Sequence, residues 1–403
     1  MLFKVRNNLK YIMELSKITK VFAESVIREM TRVANAHPGC INLAQGFPDF
    51  SAPEPIKNAA IEAIRANINQ YAITWGSESL RKAIAEKLAD YNKIHFVEPN
   101  KNITVTCGST EAMISSMKAI INPGDEVIIF EPFYENYGPD CLLSGAKPRY
   151  IMLNPPEWNF NFEELEQLFN ENTKAIIINT PNNPTGKVFS YKELKFIADL
   201  CLNYDCIAIT DEIYEHILFD NHTHISIASL PGMENNSIII NSISKTYSLT
   251  GWRVGWAIAS EKVTNEIKKV HDFLTVGAPA PLQEAAAFAL SLGKEYYKWL
   301  ADFYQKARDI LFNALQQTEI NPIKPNGAYY IIANCEDYME RYNLQNSYEL
   351  ALHMVKDIGI ATVPGSSFYA DPKSGQYQTR FCFCKKEKTL QTATQNLKRM
   401  VPQ

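Results

Sequence analysis

Between Ile103 and Ala259 the chain repeats one pattern, a short run that is almost wholly apolar followed by a segment with helical spacing. The runs are Ile103–Thr106, Val127–Phe130, Ala175–Asn179, Cys206–Thr210, Ile238–Asn241 and Trp256–Ala259. A strand with one wet face alternates apolar and polar residues, whereas a run without alternation is covered on both faces. Between the runs, Tyr191–Leu202 gathers Leu194, Phe196, Ile197, Leu200 and Cys201 into one helical stripe. The repeat predicts an α/β fold, a mostly parallel central sheet sandwiched by helices. After Leu292 the texture changes to a long helix (Tyr296–Leu315), a strand (Ala328–Ala333), a helix (Ser347–Asp357), strands at Ile360–Val363 and Arg380–Phe383, and a helix at Leu390–Met400. This reads as a smaller α+β domain. The expected division is a large domain over 53–292 and a small one over 293–403, with residues 1–52 packing with the small domain because they have no place in the large sheet.

Composition narrows the functions open to such a fold. The 403 residues are 46% hydrophobic and 21% charged, which excludes a disordered chain, a collagen-like repeat and a coiled coil. Lys and Arg number 40 against 44 Asp and Glu, for a net charge of −4, so no overall basic character suggests nucleic acid. No apolar run approaches the ~20 residues that span a bilayer. Lys4, Arg6 and Lys10, with no acid among them, read as an extension ahead of an alternative start at Met13 rather than a targeting signal. The eight cysteines contain no CxxC pair, and the default is reduced thiols in the cytoplasm, with Cys382 and Cys384 on one strand face. There is no G-x-G-x-x-G, no P-loop and no H-E-x-x-H, and His222 and His224 read as solvated surface, so no metal site is expected.

Five segments stand out, four of them at strand ends, where α/β sheets bind ligands. TCGSTEAM (106–113) ends a strand and opens a helix, where Ser109 and Thr110 either bind an anion or serve as an ordinary N-cap. PNNPTGKV (181–188) is by itself a turn. In ITDEIYEHILFD (209–220), Asp211 follows a strand and either meets a ligand cation or caps a helix. In SISKTYSLTGWRVGW (242–256), Lys245 follows an apolar strand, and a buried lysine of lowered pKa suits a Schiff base. In TRFCFCKKEKTL (379–390), Arg380 enters an apolar strand, where an unpaired charge is costly and a planar carboxylate is its natural partner. A phosphate cradle, a lysine nucleophile, a carboxylate and a carboxylate-binding arginine are together what pyridoxal phosphate chemistry on an amino acid requires.

From about Ile41 to its C-terminus the chain closely resembles the fold-type I pyridoxal-phosphate-dependent aminotransferases of class I/II, within them the kynurenine/glutamine/methionine aminotransferase branch. The stretches that carry this are NLAQGFPDF (42–50), EPFYENY (131–137), PNNPTGKV, HISIASLPGM (224–233), SKTYSLTGWRVGW and RFCFCKKEKTL. The resemblance implies that Lys245 anchors the cofactor covalently and shuttles the substrate proton, and that Asp211 pairs with the pyridinium nitrogen. It implies that Tyr214 and Asn183 hydrogen-bond the ring hydroxylate and that Tyr134 stacks on the ring. Ser109, Thr110, Ser242 and Arg253 would hold the phosphate, joined by Tyr71 from a second subunit of a homodimer. Arg380 would clamp the substrate α-carboxylate, helped by Asn183 and the backbone at Gly46. It also implies cis peptide bonds at Glu131–Pro132 and Asn183–Pro184.

The function so implied is transfer of an amino group between an L-amino acid and a 2-oxo acid. Thr110 stands where the bacterial aspartate-acting branch carries a lysine, Val276 and Gly277 stand where the kynurenine-type enzymes have a Phe-His pair, and nothing near Ile27 matches their pocket tryptophan. With Trp75 as the one remaining aromatic of the cage, a roomy neutral pocket is expected, favouring methionine, glutamine, leucine or aromatic donors over aspartate. The alternatives are a C–S β-lyase of the same fold, an aspartate aminotransferase and, more remotely, a non-enzymatic cofactor-sensing module, which would need an attached DNA-binding domain.

Overall fold

The computed structural model describes residues 14–401; the proposed extension over residues 1–12 lies outside them. The strands, in chain order, are β1 (Ile41–Asn42), β2 (Ile103–Thr106), β3 (Glu126–Glu131), β4 (Lys147–Met152), β5 (Thr173–Asn179), β6 (Ile207–Asp211), β7 (Ser237–Ser242), β8 (Gly255–Ile258), β9 (Asn321–Pro322), β10 (Tyr330–Asn334), β11 (Ile360–Ala361), β12 (Val363–Pro364) and β13 (Gln378–Cys382). All six apolar runs enter one seven-stranded sheet of order β2-β8-β7-β6-β5-β3-β4. Alternate residues serve opposite cores. Val127, Ile129, Ala175, Ile177, Ile207, Ile209, Ile238 and Ile240 pack on one face with Met113, Met117 and Ile267. Ile128, Phe130, Ile176, Ile178 and Ala208 pack on the other against Leu194, Ile197 and Cys201 of the helix Tyr191–Asn203. That helix starts at a capping box in which Ser190 and Glu193 exchange bonds.

Two features depart from the sequence reading. β8 runs antiparallel to both its neighbours, β7 and β2. Between β7 and β8 lies only the 3-10 turn Thr250–Trp252, and a parallel return needs a longer crossover, usually a helix. β4 carries no apolar run, because Lys147-Pro148-Arg149 sits at the sheet edge and pairs only with β3.

The C-terminal part forms a four-stranded sheet, β12-β13-β10-β9, antiparallel throughout. Its core joins Ile331, Ala333, Phe381 and Phe383 to Tyr304, Leu311 and Leu315 of the helix Gly293–Leu315. The run expected at Ile360–Val363 is split: β11 pairs with β1, and after Thr362 β12 pairs with β13. The same change of partner ties the N-terminal segment down, since Ile27, Met30 and Ala34 of the helix Val26–Asn35 share a core with Val355, Ala361 and Val363. Glu131–Pro132 and Asn183–Pro184 are cis, as are Pro155–Pro156 and Thr180–Pro181.

Candidate active site

The ends of β2, β5, β6 and β7 and the face of β13 converge on one cavity of about 200 Å³. Lys245 lies three residues past β7, its Nζ 3.2 Å from the Gly46 carbonyl oxygen. Burial pushes its ammonium down to about 8; Arg380 and Arg253 act the same way, against Cys384 and Asp211. Asp211 ends β6. Burial pushes its carboxyl up to about 6, against hydrogen bonds donated by the Tyr137 hydroxyl (2.7 Å) and the Ile213 N–H (3.3 Å). No helix follows Asp211, so the capping alternative does not apply.

The helix Ser109–Ile120 opens after Gly108, whose φ is 86°, and no side chain caps it. Ser109 and Thr110 are therefore its first two residues rather than caps, and both line the cavity. The turn is closed by a tight approach: a Cβ on Gly108 would strike the Arg253 guanidinium, and one on Gly255 would strike the backbone of Gly108 and Ser109. Arg253 itself holds a left-handed backbone (φ 54°) and donates to the carbonyls of Thr250 (2.9 Å) and Cys107 (3.3 Å). Open helix N–H groups, two hydroxyls and a guanidinium make an anion cradle.

Arg380, on β13, is fully buried. It donates to Asn183 Oδ1 and to the Ala44 carbonyl oxygen, both at 2.8 Å, and is sandwiched between the Tyr330 and Phe368 rings at 4.2 and 4.9 Å. Its Nε has no partner, and no carboxylate among the described residues pairs with it. A buried guanidinium in this state calls for an incoming anion. Tyr214 faces the same cavity with its hydroxyl 3.0 Å from that of Tyr330. Tyr134 and Gly46 line it as well.

Three expected residues do not line this cavity, Tyr71 among them because its expected place is the cavity of a second subunit. Ser242 is buried on β7, its hydroxyl accepting the Ser244 N–H at 3.1 Å, and Ser244 lines the cavity instead. Tyr71 is 87% exposed and borders a separate groove with Cys107, Gly277 and Ala278. The Trp75 carbonyl oxygen accepts the Val105 N–H at 3.1 Å, and its ring lies beneath Lys268 Nζ, 5.0 Å from the ring centroid. Val276 and Gly277 do not line the cavity.

Tyr137, Asn179, Thr250, Ser25, Arg28 and Glu135 line it without having been singled out in the sequence. Tyr137 and Glu135 lay inside a segment already singled out, EPFYENY, whereas Arg28 sits in a segment with no motif at all. His224 corrects the surface reading: its side chain is buried, with Nε2 3.0 Å from Glu212 Oε2. It joins a buried polar group in which Glu215 takes Lys87, Asn92 and Asn241.

The family description "Aminotransferase class I and II" matches residues 38–397. The chain belongs to that family. This aminotransferase is 35% identical to an Escherichia coli methionine aminotransferase over 93% of its own length and 96% of the relative's. It is 34% identical to human kynurenine–oxoglutarate transaminase 1, over 92% and 94%. Among solved structures, an E. coli methionine aminotransferase superposes with a TM-score of 0.90 at 33% identity, covering 96% of this chain and 100% of that one. The Thermus thermophilus aspartate aminotransferase with maleate gives 0.89 at 26% identity, covering 97% and 100%. The protein is thus an enzyme of the transaminase class on a fold-type I scaffold, acting between an amino acid and a 2-oxo acid. No helix among the described residues is long and apolar enough to cross a membrane.

Proposed function

We propose that this aminotransferase holds pyridoxal phosphate on Lys245 and uses uncharged or aromatic L-amino acids as donors. The observation that carries the reading is one cavity bordered by a half-buried lysine whose ammonium is pushed down to about 8, a buried carboxylate and a buried arginine without an anion. The donor set fits the cofactor: the Ser109–Thr110 helix end, Ser244 and Arg253 suit its phosphate, Asp211 its ring nitrogen, Tyr214 and Asn183 its ring oxygen, and Tyr134 its face. When bound, pyridoxal phosphate supplies the electron sink that stabilises a carbanion at the substrate Cα.

The chain's own groups do the rest. Arg380 takes the α-carboxylate and fixes the donor; the unpartnered Nε and the flanking rings favour a planar anion there. With its ammonium pushed down to about 8, about a tenth of Lys245 is neutral at pH 7, against far less for an ordinary lysine, and the neutral amine is able to remove the Cα proton and return it. The Gly46 carbonyl, within 3.2 Å, keeps that amine in place. Tyr137 supports the Asp211 carboxylate, which holds its positive partner in the protonated state. Catalysis further requires a homodimer in which Tyr71 serves the partner's phosphate cradle. Its exposure of 87%, and that of Phe273 at 92%, leave two large rings in water that a subunit interface would cover. The eight unpaired cysteines suit a reducing cytoplasm.

The relatives named for methionine and kynurenine support neutral and aromatic donors. The test is kcat/KM for methionine, glutamine, phenylalanine and aspartate with one common 2-oxo acid. Methionine, glutamine or phenylalanine should exceed aspartate by tenfold or more, since a desolvated short carboxylate costs a few kcal/mol when left unpaired. Aspartate in the lead contradicts the donor assignment; ammonia and pyruvate formed without an acceptor indicate β-elimination instead.

A further inference from the structure

We propose that Arg28 binds the distal carboxylate of a five-carbon dicarboxylic substrate, glutamate or 2-oxoglutarate, at the rim of the active-site cavity. The inference rests on the aminotransferase reading and deepens it. Where an uncharged donor and a dicarboxylic oxo acid share one cavity, two unlike side chains must be seated in turn, and Arg28 is the cation that the N-terminal helix brings to the lining for the second.

Arg28 lies in the first turn of the helix Val26–Asn35, an unfavourable place for a cation because the helix dipole is positive there. It lines the cavity together with Ser25 and Ile27. Among the described residues its guanidinium makes no ion pair, although Glu135 borders the same cavity. Glu135 is engaged elsewhere, accepting the Ser25 hydroxyl. Tyr134, Glu135 and Arg28 line the same wall; burial pushes the Tyr134 phenol up, Glu135 acts in the same sense and Arg28 against it.

Position decides what each arginine takes. Arg380 is fully buried beside Lys245 and Asn183, so the α-carboxylate belongs there. Arg28 is exposed at the opening, where the end of a long side chain arrives. A neutral side chain leaves Arg28 hydrated at little cost, while a carboxylate gains a charge-assisted, two-pronged hydrogen bond. Aspartate is one methylene shorter than glutamate, so its distal carboxylate reaches less far toward the rim, and glutamate is the acidic donor expected to gain most from Arg28.

The test uses the holoenzyme in single-turnover half-reactions with glutamate and with methionine as donors. Arg28→Gln should lower the ratio of second-order rate constants, glutamate over methionine, by about tenfold or more, and Arg28→Lys should restore part of it. KM for 2-oxoglutarate should rise in the reverse half-reaction. Equal losses for both donors, or an unchanged ratio, overturn the assignment. Wild-type enzyme that converts neither donor overturns the underlying reading, and this inference with it.

Discussion

In the proposed reading Lys245, Asp211 and Arg380 carry the chemistry. Lys245→Ala should lower turnover by at least about 10⁴-fold, because nucleophile and proton shuttle are lost together, while the cofactor is still retained by its phosphate contacts. Mass spectrometry after borohydride reduction should find the cofactor on Lys245 in the wild type and no adduct in the variant. Burial sets a second expectation. Only the neutral amine attacks an aldehyde, so the rate at which cofactor-free protein takes up pyridoxal phosphate should rise with pH and level off above about 8. A midpoint near the ordinary lysine value would contradict the desolvation of Lys245. Asp211→Ala should cut turnover far more than cofactor occupancy, since its carboxylate stabilises an intermediate rather than the resting state. These residues were legible because each follows a strand end within a dense motif. Arg28 was not, because a lone arginine in an amphipathic helix carries no pattern; its role depends on which way the helix faces. Ser242 was expected at the phosphate from the resemblance alone; it closes β7 and accepts the Ser244 N–H, and Ser244 is the serine that lines the cavity.

The elements that hold these side chains are themselves testable. Gly255→Ala places a methyl against the backbone of Gly108 and Ser109, where nothing flexible can yield. It should reduce cofactor affinity and destabilise the fold by about 1–3 kcal/mol, measured by denaturant unfolding with and without cofactor. The turn after Asp211 depends on Glu215. Burial works to raise this carboxyl, but the Lys87 ammonium paired with it prevails, and the carboxyl is held at about 2. A folded value below the usual carboxylate range contributes stability that is present above about pH 4.5 and lost as pH falls toward 2. Lys87→Met should cost about 3–5 kcal/mol at neutral pH by leaving that carboxylate buried without its cation. Helix and strand positions in the large sheet were readable because both faces of each strand are apolar. The edge strand β4 and the reversal of β8 were not, since pairing direction depends on the connection between strands and not on their composition.

At the scale of the whole molecule, the site is assembled from distant parts of the chain: Gly46 and Arg28 from the N-terminal segment, Lys245 and Asp211 from the large sheet and Arg380 from β13. The change of partner at Thr362, which ties β11 to β1 and β12 to β13, brings the first and last of these together. The proposed dimer adds one more part. Mixed heterodimers of Tyr71→Ala and Lys245→Ala should recover part of the activity that each homodimer lacks, and Phe273→Asp should shift sedimentation toward monomer. A fully active monomer at nanomolar concentration contradicts shared sites. The central claim is that the enzyme removes an amino group and stores it until an oxo acid collects it. The most direct measurement is a quenched single turnover of the wild-type holoenzyme with methionine and no acceptor. The account predicts one equivalent of the 2-oxo acid per site, no free ammonia, and a second equivalent only after 2-oxoglutarate is added; continuous oxo-acid formation with ammonia release, or no product at all, would contradict it.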